Sequence, residues 1–263
     1  VLDEIKVKVD NTNRRYLFSS LYYKQKRGNV EGIYTVTWDK ASASIFREHN
    51  LVFDDELRKQ AKGPDANVKL AFNDYFIKSI IIKKDGGYIL SAESLYSTSR
   101  GGGAFNRWDY LSGNNPWSSP YNYYYSPYYN SFGNPWNRWG GAQATRYHAE
   151  NIIILSFNKN DSLEWSNVIP KAQFDDQSDA LISYQIMNTG GQLHFLFNVY
   201  ERRTLLLNDQ SIDAEGKITR YPTLKNLDRG IDFMPRYGKQ VASKVIIMPC
   251  QYRNYLTFAK IEF

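Results

Sequence analysis

YLFSSLYYKQKRGNVEGIYTVTW, residues 16–38, decides the fold class. Tyr16–Tyr23 is rich in aromatic and apolar residues, Lys24–Asn29 is a polar turn, and Gly32–Trp38 alternates apolar residues with threonine. Period-two alternation on both sides of a short polar segment predicts a β-hairpin. Outward from it, Ile5–Val9 reads as a first strand and Ser44–Phe53 as an outer one. Asp54–Gln60 places acidic residues first and basic residues last, which suits one short helical turn.

The same order then recurs. Phe76–Lys83, the turn Asp85-Gly86-Gly87 and Tyr88–Ser94 form a second hairpin. Asn151–Phe157, the turn Asn158–Asp161 and Ser162–Ser166 supply its third and fourth strands. A third unit runs from Ser183–Met187 through Thr189-Gly190-Gly191 to Leu193–Tyr200, with a turn and strand at Asp213–Thr219. Lys244–Met248 and 254–263 begin a fourth. Helical periodicity is nearly absent. These features predict an all-β chain, one domain over 1–263, built as a β-propeller or partial propeller of four-stranded antiparallel blades, with about three and a half blades visible. The repeat is longer than the roughly 40–50 residues usual for a blade. The count falls short of a ring, so either further blades precede Val1 or the sheets form an open array. A β-sandwich is the alternative architecture.

Tyr16–Tyr23 with Gly32–Asp39, and Gly87–Leu95 with Asn151–Trp165, resemble the degenerate WD40- or kelch-like blades of repeat propellers in Gram-negative cell envelopes. The resemblance implies a binding platform in the periplasm or at the outer membrane, and it implies no catalytic residues. On it rests the expectation of a non-catalytic structural or protein-interaction subunit of an envelope assembly. The alternative is a carbohydrate-binding or glycoside-cleaving propeller. The two differ in what a site would look like: a sugar site needs a few aromatics flanking a cleft that carries acidic and amide groups.

Residues 97–142 interrupt the repeat. Glycines open and close this insertion, four prolines (Pro116, Pro120, Pro127, Pro135) exclude a regular helix, and no Asp or Glu occurs between Asp109 and Glu150. It holds Trp108, Tyr110, Trp117, Tyr121, Tyr123, Tyr124, Tyr125, Tyr128, Tyr129, Trp136 and Trp139, which are the expected partner-binding residues. Low-complexity tracts of this kind are commonly disordered. The alternative favoured here is a contact loop docking into or plugging a protein partner, an outer-membrane channel or barrel among the candidates. A glycan ranks second. Nucleic acid ranks last, because Arg100, Arg107 and Arg138 are too few for a phosphate-binding groove.

Composition narrows the chemistry. No apolar run approaches the length of a transmembrane helix. The one cysteine, Cys250, excludes an internal disulfide and a thiolate metal site. Asp54-Asp55-Glu56 and Asp175-Asp176 with Asp179 lack the spacing of a calcium loop, and His49, His148 and His194 have no metal-binding pairing. No metal, cofactor or catalytic residue is expected. His148 lies where the chain returns from the insertion, and His194 reads as a hydrogen-bonded residue of an aromatic strand. Glycoside hydrolysis would require two carboxylates, and no pair stands out.

Overall fold

The computed structural model describes all residues except 27, 63–66, 100–103, 106–144, 177, 202–203, 224–229 and 254. The described residues form four antiparallel sheets, one after another along the chain. Sheet one is β1 (Lys6–Asp10), β2 (Arg15–Tyr23), β3 (Val30–Asp39) and β4 (Ser44–Val52), in that order. The helix α1 (Asp55–Lys62) leads to sheet two. There β5 (Tyr75–Ile82), β6 (Tyr88–Ser99) and β8 (Thr145–Phe157) lie side by side, and β7 (Ala104–Phe105) pairs with the far end of β6. The outer edge of β8 is shared by β9 (Leu163–Ile169) and β10 (Gln173–Asp175). Sheet three is β11 (Tyr184–Asn188), β12 (Gln192–Glu201), β13 (Thr204–Asp213) and β14 (Ile218–Arg220).

Sheet four is the incomplete blade that the sequence reading expected, three strand positions wide. Its first strand is made of two pieces, β15 (Ile231–Phe233) and β16 (Lys239–Ala242), which share one edge of β17 (Val245–Tyr252). The other edge carries β18 (Tyr255–Glu262). Pro235 begins a 3-10 turn between the two pieces, and so short a pair of strands leaves little alternation to read.

Side-chain parity shows how the sheets stack. On β8, Ile153, Leu155 and Phe157 pack with Leu17, Leu21 and Ile33 of sheet one, while Ile152 and Ile154 pack with Phe195 and Phe197 of sheet three. A sheet covered on both faces reads as a continuous apolar run, and that is why Ile152–Leu155 carries no polar residue. Leu196 and Leu207 point the other way, onto Ile246 and Met248 of sheet four. First-edge strands touch across the sheets, β1 against β5 and β11 against β16. The chain is thus an all-β partial propeller: among the described residues, three blades of four strand positions and a fourth of three, with their first strands toward a common axis.

Blade ends are sorted as well. Asn13 in the β1–β2 turn meets Gly86 in the β5–β6 turn, Arg47 pairs with Asp161 of the β8–β9 turn, and Trp165 donates its indole N–H to Ala214 O of the β13–β14 turn. All of these lie at one end, the turn end. The chain leaves β6 at Ser99 and re-enters β8 at Thr145 at the opposite end. The outward faces of the first and last blades stay open: Val7 and Val9 are 54% and 49% exposed, Leu256 and Phe258 64% and 67%.

Candidate functional site

The strand Leu193–Phe197 is apolar except for His194, and β13 is apolar at Leu205–Leu207 before turning polar at Asn208 and Asp209. The β12–β13 register pairs His194 with Ser211 and Leu196 with Asp209, so His194 and Asp209 are diagonal neighbours on one face. The imidazole Nδ1 lies 3.0 Å from both carboxylate oxygens of Asp209. Both side chains are buried. Tyr221 joins them because its backbone N–H donates to Asp209 O, extending the edge beyond β14. Its ring stacks on His194 at 5.7 Å between centroids and 25° between planes, and its hydroxyl donates to Gln192 Oε1 at 3.1 Å. From blade four, Phe263 reaches the same imidazole at 4.9 Å, held by its backbone N–H donating to Lys244 O.

These residues line a cleft of about 800 Å³ between blades three and four, at the turn end. Asp209 and His194 form its floor, Tyr221 and Phe263 supply aromatic walls, and Gln192, Thr189 and Thr223 add amide and hydroxyl groups. Glu262 stands at the rim, ion-paired with Lys260 and well exposed. Burial pushes the Asp209 carboxyl above the usual aspartate value, and the hydrogen bond from His194 only partly offsets it. A carboxyl group held toward its protonated form beside aromatic faces can bind a polyhydroxylated ring and deliver a proton to it.

Sequence reasoning placed His194 as a hydrogen-bonded strand residue, and it is one. It did not find Asp209, Tyr221, Glu262 or Phe263. The available signal was a charged residue at the end of an apolar strand, two positions out of register from a histidine. The eleven expected partner-binding residues, Trp108 through Trp139, lie outside the described residues, and so does the contact role expected of them. His148 sits at the root of the insertion. It stacks on Tyr96 at 4.4 Å and lies 3.2 Å from Thr98 Oγ1, and burial lowers its pKa. Beside it, Arg146 lies over Phe174 and forks onto Asp176 at 2.5 and 2.9 Å. Tyr96 donates to Glu150 Oε1 at 2.6 Å. Among the described residues these side chains are paired with one another.

No family model matches the sequence, and no curated protein matches it. Solved structures do. An endo-arabinase from Bacteroides thetaiotaomicron is 12% identical, with a TM-score of 0.32 over 98% of this chain and 74% of its own. A family 117 glycoside hydrolase from Zobellia galactanivorans is 11% identical, with a TM-score of 0.34 over 98% of this chain and 68% of its own. A Synechocystis apocarotenoid oxygenase is 12% identical, with a TM-score of 0.36 over 100% of this chain and 50% of its own. At such values the likeness concerns the fold alone and hands over neither a reaction nor a residue. The expectation of a non-catalytic interaction subunit is corrected on the site itself, where a buried Asp209–His194 pair lines a cleft that the repeat reading did not foresee. The cleft also has the aromatic, acidic and amide lining that distinguishes a sugar site from a docking loop.

Proposed function

We propose that the chain is a carbohydrate-active propeller whose cleft between blades three and four seats a sugar ring and cleaves its glycosidic bond. The observation that carries this reading is the joining of two aromatic walls, Tyr221 and Phe263, to a buried carboxyl group with a raised pKa, Asp209. Tyr221 and Phe263 offer flat apolar surface to the C–H face of a ring, while Gln192 and the threonines meet its hydroxyls. Asp209 is the proton donor: its acid proton passes to the glycosidic oxygen as the bond to the anomeric carbon breaks. Glu262 is the second carboxylate that such chemistry requires, taking a proton from the water that attacks that carbon. His194 is a positioning residue that holds Asp209.

The test uses the whole chain and a panel of oligosaccharides, with binding read by calorimetry and cleavage by released reducing ends. Tyr221→Ala is expected to weaken binding about tenfold, a loss of about 1.4 kcal/mol. Asp209→Asn should keep the sugar bound and abolish its cleavage. Binding by the parent chain with no cleavage at any pH would reduce the site to a lectin-like one. No binding across the panel would overturn the reading.

A further inference from the structure

A second cavity, about 400 Å³, is walled by the first strands of blades two, three and four and therefore lies on the propeller axis. Its lining includes Lys78 of β5, Tyr184 and Gln185 of β11, Arg236 of the 3-10 turn and Gln240 of β16. Lys78 is there because of a β-bulge. Ile77 pairs with Ala92 and Ser79 with Ser91, so Lys78 is the extra residue, out of the ladder. A bulge re-aims a side chain at the expense of pairing.

Glu93, on β6, is fully buried and held by Lys171 Nζ at 2.7 Å and Ser183 Oγ at 2.5 Å. Lys171 spends its remaining donors on Ala149 O and Gln173 Oε1. Arg236 is paired with Asp179. Lys78 has only the Glu93 carboxylate, 3.9 Å away and already engaged, and no hydrogen bond among the described residues. Its one ion-pair partner among the described residues is thus a carboxylate already held by Lys171, and the Lys78 side chain, 23% exposed, lines the cavity. An ammonium with no hydrogen-bond acceptor among those residues is left to take one from whatever enters the cavity. Burial lowers its pKa to about 8; Glu93 works against that shift, and Arg236, Lys171 and Lys6 add to it.

We propose that this axial pocket binds a small oxyanion, a carboxylate or phosphate group, with Lys78 as its charged anchor. The site is separate from the cleft and does not depend on the sugar reading. Inorganic phosphate and acetate, titrated separately into the whole chain at pH 7 and followed by calorimetry and backbone NMR shifts, identify which oxyanion it takes. Saturable binding of at least one is expected, with shifts centred on β5 and β11. Lys78→Met should weaken it at least tenfold. Binding by the parent chain should fade as pH rises through about 8, where the ammonium loses its proton. Lys78→Arg should keep it to higher pH. Lys78→Met should also melt close to the parent in anion-free buffer, since Glu93 keeps Lys171 as its nearer partner. Saturation by neither anion, or equal affinity in Lys78→Met, would overturn the proposal.

Discussion

At the scale of single residues, Asp209 links the cleft to pH. Its raised carboxyl pKa means that the native state keeps a proton which the unfolded chain has already released. The stability this group contributes is complete below its ordinary value of 3.8 and is lost as pH rises through the raised one. Asp209→Asn, which cannot ionise, should therefore melt above the parent chain at pH 7. The gap should close as pH falls to about 3. Thermal melts of both proteins across that range check it, and a gap that ignores pH would mean that His194 fully compensates the charge. Sequence could not reveal this pair. His194 and Asp209 lie 15 positions apart, and only the β12–β13 register makes them neighbours.

At the scale of elements, the strands were legible where one face differs from the other or where both are covered. The hairpin of residues 16–38, the run Ile152–Leu155 and the turns at Asp85–Gly87 and Asn158–Asp161 all appear as read. The strand Thr204–Asp213 escaped notice because its polar end mimics a loop, and β15 and β16 because each is only half a strand. Gly32 sits where no side chain fits. A Cβ there would stand 1.9 Å from Leu51 O and 2.9 Å from Leu51 C, in the backbone of the adjacent β4. Gly32→Ala must push β4 outward, at a cost of about 1–3 kcal/mol. Chemical denaturation should show it as a lower midpoint, with protection from hydrogen exchange falling first in Ser44–Val52.

At the scale of the whole molecule, blade order and face parity followed from the repeat, whereas the cleft and the axial cavity arise only where blades meet. Burial sets unequal consequences for similar residues. Phe195 is wholly enclosed between blades two and three, and Phe195→Ala should cost about 3–5 kcal/mol. Phe258, on the open face of blade four, is 67% exposed, and Phe258→Thr should stay within about 0.5 kcal/mol of the parent. Equal losses in the two variants would mean that the outer face of blade four is covered in solution. The sorting of connections between the two ends has a further consequence. The cleft belongs to the turn end, while the strands that carry the aromatic insertion, β6 and β8, part at the other. Among the described residues the cleft is walled by blades three and four alone, so selection can retune it without disturbing the strand ends at Ser99 and Thr145 that carry the insertion, and those two parts of the molecule are free to diverge at different rates.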